Sequence, residues 1–115
     1  MQHLAWESVK KEIIHDKFWR KVVHGEKAMV AQLGLSKDCV VPLHHHESEQ
    51  ISLVIQGAVK FQLEGKEVIV RGGEVLVIPS NLPHSAVALE DSLGIEVFSP
   101  IRHDWLDGSD SYLRK

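Results

Sequence analysis

The sequence predicts an all-β protein, a single-domain sandwich or barrel. Three observations carry this. Glycines at 25, 34, 57, 65, 72, 73 and 94 and prolines at 42, 79, 83 and 100 cut the chain into short pieces from about Lys21 onward. The pieces are of strand length and rich in valine, isoleucine and leucine. No helical pattern intervenes between them, which is the signature of a sandwich or barrel. The chain has 115 residues, enough for one domain and too few for two ordinary ones.

In order, the strand-like runs are "AMVAQLGL", "QISLVIQ", "AVKFQLEG", "KEVIV", "EVLVIP", "HSAVAL" and "LGIEVF". Several alternate: in "AVKFQLEG", Val59, Phe61 and Leu63 share one face and Lys60, Gln62 and Glu64 the other. "EGK" and "RGG" supply turns. The first twenty residues differ. Trp6, Val9, Ile13 and Ile14 sit at near-helical spacing over a short stretch, which fits either a helical turn or an extended arm lying on a neighbour. The expected organisation is therefore an N-terminal arm or short helix over 1–20, a barrel over 21–103 and a tail over 104–115. "DGSDSYLRK" reads as polar tail.

Composition sets the remaining bounds. Charged residues make up 25% and the net charge is −3 with neutral histidines, so the clustered basic excess of a nucleic-acid binder is missing. Cys39 is the only cysteine and reads as a small buried strand residue. "MQHLAWESVKKEII" lacks the apolar core of a signal peptide, and no apolar run approaches the ~20 residues of a membrane span. A cytoplasmic protein with no membrane partner is expected. Exposed sheet edges in a small sandwich favour pairing with a second copy, so a homodimer is expected, with the N-terminal segment a candidate contributor.

The chemistry concentrates in "VPLHHHESEQISLVIQG". Side chains alternate along a strand, so His44 and His46 share a face, roughly 7 Å apart, and His45 points away to the surface. Two such imidazoles can converge on one metal ion. Gln50 follows His46 by four positions, and Gly57 follows Gln50 by seven. A second block places Pro79 six residues after Gly73 and His84 five after Pro79. Together these resemble the two motifs of the cupin superfamily: H-x-H, three or four residues, glutamate or glutamine, six residues, glycine; then G-x5-P-x-G-x2-H. Asn81 stands where the second motif has glycine, and Asn tolerates the left-handed conformation glycine would supply. Ala88 stands at the motif's terminal asparagine.

The resemblance spans roughly Lys27 to Phe98 and implies a jelly-roll barrel, a double-stranded β-helix, holding one divalent metal ion on His44, His46, Gln50 and His84. His3, His15, His24 and His103 have no spacing that ties them to the site. Zn, Ni, Fe, Mn and Co all suit these ligands. Gln50 is a departure from the commoner glutamate. Three neutral imidazoles and a neutral amide leave the ion's charge uncompensated by its ligands, which favours an anionic, carboxylate-bearing substrate.

In "LGIEVFSPIRHDWL", Glu96 and Phe98 share one strand face. Spacing alone leaves two arrangements open: Glu96 and Arg102 in solvent, or Glu96 and Phe98 lining the barrel with Arg102 at its mouth. This segment, the early tryptophan, "RKVV", "GEKAMV" and the glutamine-bearing motif look like the small KdgF-type cupins of uronate catabolism. Those enzymes convert 4,5-unsaturated monouronates into linear keto forms. The resemblance implies Glu96 at the position of the family's catalytic aspartate, and Phe98 and Arg102 as substrate contacts, with Arg102 assisting catalysis by gripping the carboxylate. Two other readings fit the same residues: a sugar-acid-binding protein without turnover, and a metal-dependent oxygenase.

Overall fold

Apolar residues at alternate positions force the predicted runs into pairs that bury one face each. The computed structural model describes residues 1–114. Its strands are β1 (Glu12–His15), β2 (Phe18–His24), β3 (Met29–Leu35), β4 (Val40–His44), β5 (Glu49–Gln56), β6 (Ala58–Leu63), β7 (Lys66–Arg71), β8 (Val75–Ile78), β9 (His84–Ala88) and β10 (Ser92–Ser99). A short helix, α1 (His103–Asp107), and 3-10 turns at Trp6–Ser8 and Ser111–Leu113 complete the described elements. The all-β class holds.

Two antiparallel sheets face each other in a jelly roll. One runs β1-β2-β3-β10-β5-β8 and the other β4-β9-β6-β7. Each predicted run became a strand, from "AMVAQLGL" at β3 to "LGIEVF" in β10. Gly57 turns β5 into β6 at φ 96°, and a Cβ there would sit 2.6 Å from the Asp91 carbonyl oxygen. Asn81 adopts φ 63°, the left-handed conformation expected of it.

Register decides what the six-stranded sheet shows on each side. Val23, Val30, Val97, Ile51 and Val77 form one continuous row across β2, β3, β10, β5 and β8 on the outer face. One residue along, Val22, Ala31, Glu96, Ser52 and Leu76 form the inner row, and beside it Met29, Phe98, Gln50 and Ile78 form another. Period-two alternation thus sends a carboxylate, an amide and a hydroxyl into the barrel among core residues. Apolar clusters around Met29, Leu33, Phe98 and Trp105, and around Val54, Phe61, Val70 and Ile78, pack on either side of them.

Both ends of the chain differ from the sequence expectation. The boundary at residue 20 falls inside β2, and residues 12–24 form a hairpin that extends the main sheet. Near-helical spacing of Trp6, Val9, Ile13 and Ile14 gives only the turn at Trp6–Ser8. Ile13 and Ile14 instead alternate in β1, one exposed and one buried. So short a helix is marginal, whereas pairing with β2 satisfies the backbone.

Residues 104–114 are not a solvated tail. Trp105, Asp110 and Leu113 are buried. Arg20 and Asp110, both 0% exposed, form an ion pair at 2.7 Å whose angle falls outside hydrogen-bond geometry. Arg20 also meets Glu12 at 2.5 Å and lies 4.3 Å over the Trp105 ring. Arg114 bridges Asp110 and Glu12, each at 3.2 Å. Asp110 and Arg114 thus reach partners at the other end of the chain, Arg20 and Glu12.

Candidate functional site

The site lies between the sheets, where β4 and β9 meet the inner faces of β5 and β10. His44 and His84 are directly paired across β4 and β9. β4 ends at His44, so His46 projects from the following loop rather than from the same strand. Pro42 interrupts the register of β4, which is tolerated because β4 is an edge strand. His45 is exposed, as expected.

One nitrogen from each of His44, His46 and His84 lies within 4.8 Å of the others. Each ring's Nδ1 contacts a backbone carbonyl: His44 at Pro42 (2.7 Å), His46 at Ser48 (2.8 Å) and His84 at Leu82 (2.8 Å). A carbonyl oxygen only accepts, so Nδ1 carries the proton in all three rings and Nε2 presents a lone pair. Burial pushes His44 and His46 down to about 4, against the upward pull of those carbonyls, and lowers His84 as well. The triad is therefore neutral at physiological pH, the form that ligates metal.

Two features show that a cation fits here. His84 Nε2 is buried without a hydrogen-bond partner. His46 Nε2 faces Gln50 Oε1 at 3.0 Å, and both atoms are acceptors. The amide cannot turn its nitrogen there at no cost, because that nitrogen donates to Ser52 Oγ and to Glu96 Oε2, each at 3.0 Å. Lone pairs converging without a proton call for a positive ion among them. A divalent ion of the Zn, Ni, Fe, Mn or Co type suits three imidazoles and an amide oxygen.

Glu96 lies on β10, one strand from Gln50, paired in register with Ser52. Ser52 Oγ donates to it at 2.6 Å. Burial pushes the Glu96 carboxyl up to about 7, opposed by the hydrogen bonds from Ser52 and Gln50. Of the two arrangements the sequence left open, the carboxylate lines the barrel. It also sits directly behind Gln50, so a carboxyl about half ionised near neutral pH adjoins the neutral donors. Phe98 is buried with its ring edge-on to His46, 5.7 Å between centroids.

Arg102 is buried too, not a surface charge. Its Nε and one terminal nitrogen donate to the two oxygens of Asp104, at 3.0 and 2.7 Å, and that same terminal nitrogen also donates to the Tyr112 hydroxyl. The bidentate fork expected to hold a substrate carboxylate is thus occupied by the protein's own carboxylate. Its other terminal nitrogen makes no hydrogen bond among the described residues. His44, Gln50, His84, Glu96, Phe98 and Arg102 line one cavity.

Sequence reasoning missed three neighbours. Ser52 was legible in principle, as a hydroxyl two places after Gln50 on an inward face. Asp104 and Tyr112 were hidden in a segment read as tail, though "RHDWLDGSDSYL" carries buried-type aromatics that a solvated tail does not need. His3, His24 and His103 are exposed, and His15 lies on β1 at the sheet's edge.

Residues 35–99 match the family model described as Cupin domain. Over 98 residues the chain is 30% identical to the pectin degradation protein KdgF of Dickeya dadantii (strain 3937), covering 83% of this chain and 89% of that protein. The structure of KdgF from Halomonas sp. matches with a TM-score of 0.85 at 32% identity, over 91% of this chain and 98% of that one. An RmlC-like cupin from Shewanella frigidimarina NCIMB 400 shares the fold, with a TM-score of 0.84 at 23% identity over 91% of this chain and 96% of that one. With two-sheet topology, histidine triad and these matches in agreement, the chain belongs to the cupin family and is a KdgF-like cupin.

Proposed function

We propose that this protein is a metal-dependent, isomerase-like enzyme of pectin or alginate breakdown that opens 4,5-unsaturated monouronates to linear keto-uronates. The observation that carries it is the placement of one carboxylate, Glu96, on the inner face beside the neutral donor set, within a cavity that Arg102 also lines. The likeness to two KdgF proteins supports the choice of substrate.

In this reading His44, His46, Gln50 and His84 hold one divalent ion. When bound, the ion supplies Lewis-acid stabilisation of negative charge developing on a substrate oxygen. Glu96 is the catalytic base and then acid. It takes the proton from the hemiacetal hydroxyl as that carbon becomes an aldehyde and its bond to the ring oxygen breaks. The electrons left on the ring oxygen form the ketone at the alkene carbon bonded to it, and the other alkene carbon takes the proton back from Glu96. Ser52 holds the carboxylate oxygen in line. Phe98 walls the sugar ring, and Arg102 offers its charge and remaining nitrogen to the substrate carboxylate.

The test is turnover of 4,5-unsaturated galacturonate, followed by the loss of its conjugated absorbance, with wild type and Glu96→Gln. The variant should keep its metal and lose about 100-fold or more of kcat. Equal turnover in the two proteins would remove Glu96 from the mechanism. Oxygen consumption in the same assay would point to oxygenation instead.

The reading includes a homodimer and a cytoplasmic location. The row of branched residues from Val23 to Val77 leaves an apolar outer face, with Val75 57% and Val77 54% exposed, and a second copy would cover it. The free, buried Cys39 fits a reducing compartment; recovery in the periplasmic or secreted fraction of cells would contradict it.

A further inference from the structure

The geometry points to Tyr112, assisted by the indole N–H of Trp105, as a ligand-recognition element that completes with Arg102 a set of donors for one anionic group of the substrate. This rests on the sugar-acid reading and adds to it two residues outside the cupin motifs.

The reasoning begins with what Arg102 has left to give. Asp104 neutralises it and takes Nε and one terminal nitrogen. A substrate carboxylate arriving at Arg102 finds one free terminal nitrogen, which is less than the two parallel bonds that give arginine its grip on carboxylates. Other donors must make up the set. Tyr112 supplies one. Its ring lies against His44, 4.9 Å between centroids, and lines the same cavity as His44, Gln50 and His84. Its oxygen accepts from Arg102, so its own O–H is directed elsewhere, and it has no acceptor among the described residues. A phenol O–H without an acceptor at a cavity wall is a donor awaiting a ligand oxygen.

Trp105 supplies the second. Its ring lines that cavity and packs edge-on to Phe98 at 5.0 Å. The residue is 8% exposed, and its buried Nε1 lies beside the Tyr112 hydroxyl oxygen without reaching hydrogen-bond geometry to it. A buried indole N–H ordinarily finds an acceptor, and leaving one unpaired is costly. The orphan donor, the unspent phenol proton and the free guanidinium nitrogen all require acceptors and none requires a donor. A carboxylate has acceptor oxygens only.

The segment is held firmly enough to present them. Asp110, two residues before Tyr112, pairs with Arg20, and Leu113 is buried in the core beyond it. Tyr112 is therefore a fixed wall whose hydroxyl is presented from the chain's own C-terminal turn.

The experiment compares binding of D-galacturonate with binding of D-galactose, its neutral counterpart, to metal-loaded wild type, Tyr112→Phe and Trp105→Phe, by calorimetry. Metal content and thermal midpoint are measured on each. Wild type should bind the acid more tightly than the neutral sugar. Tyr112→Phe should weaken the acid about ten-fold and leave galactose, metal content and midpoint unchanged. Trp105→Phe should weaken the acid as well. Wild-type affinity for galacturonate in Tyr112→Phe would overturn this inference while leaving the proposed function standing. A wild type that does not favour the acid over galactose would overturn both.

Discussion

At Gln50 a single amide faces two ways. Its oxygen turns toward His46 and its nitrogen holds Ser52 and Glu96. That arrangement links the ligand set to the carboxylate that would move the proton, so a change on one side is felt on the other. Ser52 is the simplest probe of the link, because it touches Glu96 and no imidazole. Ser52→Ala should lower kcat on the order of ten-fold with metal content unchanged, as expected when one hydrogen bond orienting a buried carboxylate is lost. Steady-state kinetics beside metal analysis checks this, and loss of metal in Ser52→Ala would mean that the serine supports the ligands instead. The meeting of the three histidines with Gln50 was legible because the motif sets residue types at fixed spacing. Ser52, Asp104 and Tyr112 were not, because a hydroxyl in an apolar strand or a carboxylate in a polar stretch has no type-specific signature until the fold gives it a neighbour.

Among the elements, the C-terminal segment shows how a polar sequence can be part of a core. Strands β3 and β5 to β10 declared themselves through apolar runs and turn glycines, whereas the Pro42-bearing edge strand β4 was not among the predicted runs. The C-terminal segment could not declare itself, since Asp110 becomes a core residue only through Arg20, ninety positions earlier in the chain. Removing Asp110 leaves the fully buried Arg20 with only the part-exposed Glu12 to compensate its charge. Asp110→Ala should therefore cost roughly 2–3 kcal/mol in urea unfolding. It should also loosen the turn that carries Tyr112, visible as faster amide exchange at Ser111–Leu113. A cost below about 1 kcal/mol would show that the Arg20 pairing contributes nothing net. The N-terminal hairpin was missed for a related reason: β1 is short, and its pairing with β2 outweighs a weak helical spacing.

For the molecule as a whole, the two faces of the larger sheet differ in character. The inner face of the larger sheet gathers polar groups around the triad, while its outer face carries the continuous apolar row through Val30, Val97 and Ile51. A charge introduced at its exposed end tests whether that face is shared between copies. Val77→Glu should shift sedimentation from dimer to monomer and leave metal binding intact. A wild type that sediments as a monomer at micromolar concentration would contradict the dimer.

Everything chemical depends on uncharged donors meeting around a cation, and calorimetric titration of chelator-stripped protein with Zn, Ni or Mn tests that most directly. Wild type should show one saturable site per chain, and His84→Ala should lose it while keeping the β-sheet circular dichroism of the folded barrel. Folded wild type that takes up no ion, or a His84→Ala protein that binds as wild type does, would contradict the account.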